Sequence, residues 1–365
     1  MDRHENKRQP VEIPYFKIVA AYGLRECPKL VEQVAGDNLE VRVNALAVLC
    51  DEFQNPQKVF GCGQAGCIKI LSSMVIDPDY TTRSRASKAL AIAARDANGI
   101  ALILEDEAVV DLLNGINDPS DDVRGNIYEC ICEVTRTVAG IDACVRAGVT
   151  NAFVSAVQQE VDALKPPLLR SIHNIAGSPQ GADDALACGA VAVCSALLAS
   201  EHSGTAAEAA RTLGFLCAHE SGKHEALFDV VADGHNKKQS QVGALGPLIA
   251  LLGVARERTS HAEVKAAAAM AIMAITSTDE GKRQVARVDN NHKLITDLLY
   301  EADRTTRLCA VKVIANVAVN PSLRASLATD RLALSALKQM AGADDDDALI
   351  ARHARIALDA VQWKP

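Results

Sequence analysis

The chain has 365 residues, of which 49% are hydrophobic and 3% aromatic, and a formal net charge of −8 at pH 7. That apolar content supplies a large core, and the acidic balance argues against the strongly basic face that nucleic-acid binding requires. The longest wholly apolar run, Ala266–Ile275, is far short of the roughly 20 residues that span a bilayer.

Met1–Pro10 (MDRHENKRQP) is charged and no apolar segment follows it, so no secretory leader is expected. Residues 1–14 read as a loose polar arm, because Pro10 and Pro14 oppose a helix and Arg3, Lys7 and Arg8 alternate with acids. The eleven cysteines are an odd number scattered along the chain, which fits small core hydrophobes in a reducing compartment. A soluble intracellular protein is the expectation.

Residues 15–365 read as one repeat array. Tyr15 to Ala35 holds the first helical material, and Leu39–Phe53 predicts a long helix closed by Asn55-Pro56. Repeats follow at about 56–96, 97–137, 138–178 and 179–219. The stretch Ser120–Gln159 shows the unit most clearly. Ser120 is a plausible N-cap, and Asp121 and Asp122 face the positive end of the helix dipole. Val123, Ile127, Ile131, Val134 and Val138 form one apolar stripe at helical period. Gly140 reads as the stop of that long helix. Two short turns then run to Ala147, Gly148 breaks the chain again, and Val149–Gln159 reads as a third helix. Three such helices cannot bury their apolar faces alone and need copies on either side.

The copies recur every 41 residues. Gly99, Gly140, Gly181 and Gly222 hold that spacing, Gly66, Gly148 and Gly189 fall on the same grid, and so do Arg42, Arg83, Arg124 and Lys165. After Gly222 the register slips, then resumes with Lys265, Arg307 and the step from Gly281 to Ser322. In the unit at about 220–278, Asp229–Gln241 (DVVADGHNKKQSQ) stands beyond the grid as a polar insertion, and a shorter one falls near Arg256–Ala262. Units at about 279–319 and 320–365 complete the chain, the last with the acidic run Asp344–Asp347. The period predicts an all-α, armadillo/HEAT-type superhelical solenoid of about eight three-helix repeats.

Reactive chemistry is sparse. Cys62 and Cys67, and His219 and His224, are each separated by four residues, with no second pair to complete a metal site. Gly61–Gly66 matches G-x-G-x-x-G, but no strand pattern precedes it. No catalytic residue, metal, cofactor, small-molecule substrate or membrane partner is therefore predicted. In armadillo folds the long helix of each unit lines a concave groove. The equivalent asparagine position of each repeat, nine residues after the place of the basic marker, holds Asp51, Ile92, Glu133, Asn174, Phe215, Ala274, Asn316 and Val361. Only Asn174 and Asn316 match the asparagine ladder of nuclear-import peptide receptors, and no tryptophan ladder exists. A permanently docked partner fits better. Glu129, Glu133, His173, Asn174 and Asn316 are the groove candidates, against the plainer alternative of a solvated wall.

Four short motifs add a family likeness. Ala20–Gly23 (AAYG), Ala45–Asp51 (ALAVLCD) ending in Asn55-Pro56, the E-G-K turn at 280–282 and the terminal Trp363-Lys364-Pro365 resemble the radial spoke head 14 homologue family of ciliary armadillo proteins. The resemblance runs from about residue 15 to the end, with the Asp229–Gln241 insertion and the acidic run as departures. It implies a rod-like structural subunit of the radial spoke, located in the cytoplasm and the axoneme of the cilium or flagellum. Its partners would be other radial spoke subunits, and it would help relay the mechanical signals that regulate dynein-driven motility. The reading from a different class is a soluble armadillo adaptor that binds extended peptides in its concave groove.

Overall fold

The computed structural model describes residues 18, 21–230, 239–240, 243–253, 258–288, 291–342 and 347–363. The N-terminal arm at 1–14, most of the Asp229–Gln241 insertion and residues 344–346 of the acidic run lie outside them.

Two helices, α1 (Glu26–Val34) and α2 (Leu39–Glu52), open the chain. The first three-helix repeat is α3 (Pro56–Gln64), α4 (Cys67–Ser73) and α5 (Tyr80–Ala93). The second is α6 (Ala97–Glu105), α7 (Ala108–Leu113) and α8 (Asp121–Val134), and the third α9 (Val138–Ala147), α10 (Val149–Gln159) and α11 (Lys165–Ile175). The fourth is α12 (Pro179–Ala187), α13 (Ala190–Leu197) and α14 (Ser203–Leu216), and the fifth α15 (Glu220–Leu227), α16 (Leu245–Gly253) and α17 (Arg258–Ile275). The sixth is α18 (Asp279–Val285), α19 (Asn291–Asp297) and α20 (Arg304–Val317), and the seventh α21 (Pro321–Thr329), α22 (Arg331–Ala341) and α23 (Ala348–Gln362). With α1 and α2 as a partial first unit, this is the all-α repeat architecture that the period predicts. The described exception is an antiparallel pair of two-residue strands, Asp229–Val230 with Gln239–Ser240, inside the insertion.

Contacts divide the chain into two compact units, Met1–Ala147 and Gly148–Pro365. In the first, the long helices α2, α5 and α8 pack side by side in order, and α3, α6 and α9 do the same behind them. In the second, α11, α14, α17, α20 and α23 form the corresponding row. Each unit is thus built of stacked repeat helices, and the boundary between the units falls in the chain between α9 and α10. Val123, Ile127, Ile131 and Val134 are buried as the stripe on α8 requires, each worth about 1.5–3 kcal/mol. All eleven cysteines are free thiols and nine are buried among these helices. Burial pushes the thiols of Cys67, Cys144, Cys194 and Cys217 up to about 12.

Three details of the repeat differ from the sequence reading. The long helix of the second repeat ends at Val134, so Val138 starts α9 and is 78% exposed instead of extending the stripe. Gly140 does not stop a helix but sits inside α9. A Cβ there would lie 2.0 Å from the carbonyl oxygen of Val134, the last residue of α8. The same holds along the grid: Gly99, Gly181, Gly222 and Gly281 face the last carbonyls of α5, α11, α14 and α17, at Ala93, Ile175, Leu216 and Ile275. Those glycines permit a close approach and break nothing. Ser120 precedes α8 but makes no side-chain cap. At the equivalent start of other long helices, Asn38, Asp79 and Asp303 accept from the N–H of Val41, Thr82 and Thr306.

Gly66, Gly148 and Gly189 are true breaks, each in the left-handed region with φ between 74° and 79°. Their grid has a member with a side chain: Glu107 holds φ 55°. The basic markers serve as braces. Arg83 Nη1 donates to the Asp77 carbonyl six residues earlier at 2.9 Å, Arg124 to Asp118 at 2.7 Å and Arg307 to Glu301 at 2.9 Å. Each closes the loop that leads into its own helix. Arg83 Nε also reaches Asp118 of the next repeat at 2.6 Å, and Arg42 reaches Asp77 at 3.6 Å.

Two substitutions test this frame by urea denaturation. Gly140→Ala is expected to destabilise by about 1–3 kcal/mol, because the overlap with Val134 outweighs the ~1 kcal/mol by which alanine surpasses glycine in helices. Glu107→Gly is expected to stabilise by about 1 kcal/mol through relief of the left-handed backbone.

Candidate functional site

A long helix buries one face against its own repeat and two flanks against neighbouring long helices, which leaves one face of the row uncovered. In the second unit that face carries a groove of about 780 Å³. Its floor exists because small residues stand where long helices meet. Gly214 on α14 lets that backbone come so near α17 that a Cβ would sit 3.1 Å from Ala271 Cα. Ala218, Ala274 and Ala315 likewise line the opening without filling it. Phe215, Met270, Met273, Leu308 and Ile356 supply the apolar walls.

Polar groups stand around those walls. His173 lies half-buried on α11, with its ring edge-on to Phe215 at 5.0 Å between centroids. Its Nδ1 is buried without a hydrogen-bond partner. Burial holds the His173 imidazole below its ordinary range, nearby Glu208 opposes that shift, and Arg211 adds to it. Arg211 Nη1 pairs with Glu208 at 2.7 Å, and Arg170 pairs with the same carboxylate oxygen at 2.7 Å. Lys223 pairs with Glu220 at 2.6 Å. Lys312 stands half-buried on α20 beside His353, whose pKa is lowered by burial and then by Lys312 and Arg352.

Of the five predicted groove residues, His173 and Asn316 line this cavity together. Asn316 Nδ2 donates to Thr276 Oγ1 at 3.3 Å, which ties it to the preceding long helix. Asn174 lies next to His173 but does not line the groove. Glu129 and Glu133 belong to α8 in the other unit. Glu129 is exposed and pairs with Arg95 at 3.8 Å, while Glu133 accepts from Arg136 at 2.7 Å. Sequence reasoning passed over Phe215, Met270, Met273 and Lys312. Phe215 and Ala274 occupy the ladder position of their repeats, so their place was legible even though their residue types were not those sought. Among the described residues no cluster of His, Cys, Asp and Glu could hold a metal ion, and no single helix is long and apolar enough to cross a membrane.

No family model matches the chain. In sequence it is similar to Radial spoke protein 14 of Chlamydomonas reinhardtii, 26% identical over 144 residues. That match covers 38% of this chain and 37% of the relative, so the chain spans little more than a third of the length of the protein it matches. In structure it is similar to an engineered protein solved by the Northeast Structural Genomics Consortium, with a TM-score of 0.77 and 21% identity, covering 93% of this chain and 79% of that one. A second engineered protein from the same consortium aligns with a TM-score of 0.58 and 22% identity, over 69% of this chain and 96% of that chain. The two structural likenesses bear on the fold alone.

The two histidines give a pH test. Burial favours their neutral form, so the unfolded chain binds more protons once pH falls below the ordinary histidine value of about 6.5. Their contribution is intact above that pH and is lost as pH falls through the lowered folded values. Urea midpoints are expected to decline between pH 7 and pH 5, and His173→Gln to flatten part of that slope.

Proposed function

We propose that this chain is a non-enzymatic scaffold, a structural subunit of the ciliary or flagellar radial spoke. In this reading it resides in the cytoplasm and the axoneme, binds other spoke subunits and supports the mechanical signalling that regulates dynein-driven motility. The similarity to Radial spoke protein 14 carries the proposal. Repeat physics supports it: each repeat couples mainly to its neighbours, so the array offers long walls to several partners at once. Obligate interfaces of that kind bury on the order of 2,000 Å² or more.

A second reading, a soluble adaptor for extended peptides, draws on the groove that His173 and Asn316 line. Its weakness lies at Phe215 and Ala274, which have no side-chain amide to hold a peptide main chain. The two readings part on one measurement. A tagged copy expressed in a ciliated cell is expected to stay with demembranated axonemes through salt extraction. Release into the soluble fraction at low salt would remove the spoke reading and leave the adaptor.

A further inference from the structure

We infer that the groove crossed by α14, α17, α20 and α23 seats an acidic segment of a partner protein that carries large apolar side chains, with Lys312 as the anchor for its carboxylates. The inference rests on the long-helix face being a partner contact and adds the chemistry of the occupant.

Apolar demand comes from the walls. Phe215 is 37% exposed and Ile356 45% exposed, so both present apolar surface that the chain's own core leaves uncovered. Met270 and Met273 beside them are unbranched and polarizable, which suits a floor that must mould to another surface. The volume of about 780 Å³ falls within the ~300–1,000 Å³ of ordinary ligand sites.

Charge selects among apolar occupants. Arg211, Lys223 and Lys312 line the groove, together with His173 and His353, and no lining residue is a carboxylate. Arg211 and Lys223 already have acidic partners in Glu208 and Glu220. Lys312 has no ion-pair partner among the described residues. In a chain whose net charge is −8, this is a local positive island. A carboxylate set against a half-buried ammonium over apolar walls is partly desolvated, so the pair is stronger there than on an open surface. A basic occupant would meet like charge at the same point.

The test is calorimetric titration of the purified full chain with a synthetic peptide that alternates glutamate with leucine and phenylalanine. Its twin with lysine for glutamate and the fatty acid oleate serve as the other arms. Expected are binding of the acidic peptide alone, loss of affinity as salt rises, and a drop of about tenfold or more for both Lys312→Met and Phe215→Ala. Lys69→Met, on α4 of the other unit, is expected to change nothing. Lys312→Met keeps the aliphatic stem, and unaltered thermal unfolding of both groove variants separates lost binding from lost fold. Equal binding of the two peptides, indifference to Lys312→Met, or uptake of oleate with the acidic peptide silent would each overturn the inference. Axoneme retention is a separate readout: failure of the titration leaves it standing, and loss of retention with intact peptide binding removes only the spoke reading.

Discussion

A long helix ends, and within four or five residues a short one sets off in a new direction. At most of these corners the short helix offers bare backbone to the last carbonyl of the long one, while after α2 and α20 the same position holds Lys58 and Leu323. The five glycines each stand six residues beyond the carbonyl they face. The carbonyl also accepts the N–H of the residue three further on, as Thr137 does to Val134 and Ser178 to Ile175. The hydroxyls of Thr137, Ser178 and Thr278 then cap the short helix at Gly140, Gly181 and Gly281. Where the three occur together, glycine, carbonyl and hydroxyl hold the short helix against the end of the long one.

From that corner the long helices fall into rows, and the rows decide where surface is left over. The groove of the second unit is a consequence of side-chain size. Gly214 and its alanine neighbours bring helices close and leave a hollow, which the bulkier Phe215, Met270 and Ile356 wall in. The arginine braces act on the opposite end of the long helices α2, α5, α8 and α20. They hold entry loops that expose backbone carbonyls, and Arg83 links its own loop to the next one through Asp118. Corner, brace and groove thus divide the labour of one repeat among three sets of residues.

Period, helix class and most helix positions were legible in the sequence, because apolar stripes and 41-residue markers survive substitution elsewhere. The meaning of individual markers was less so. Gly140 carries the same letter as Gly148, yet one permits a close approach inside a helix and the other takes a left-handed turn. Only φ and the neighbouring carbonyl tell them apart. Glu107 hid the turn position of its repeat because a carboxylate gives no breaker signal. Caps were partly invisible for a related reason: Asn38, Asp79 and Asp303 do the same job with different side chains, while Ser120 in that place does not do it. The groove was read by looking for asparagine. Its walls are apolar and, among the described residues, Lys312 in it has no ion-pair partner, features that emerge only when the long helices are laid side by side.

The spacing of the bonds between repeats has a consequence for how the protein is made. Arg83 to Asp118, Arg170 to Glu208, Asn126 to Ser84 and Thr212 to Leu169 span 35, 38, 42 and 43 residues. Across the insertion, the Gln284 bond to Leu227 stretches to 57. No repeat joined by such bonds must wait for a distant part of the chain. As the polypeptide leaves the ribosome, each newly emerged repeat finds the surface it needs already folded just ahead of it, so assembly can keep pace with translation one module at a time.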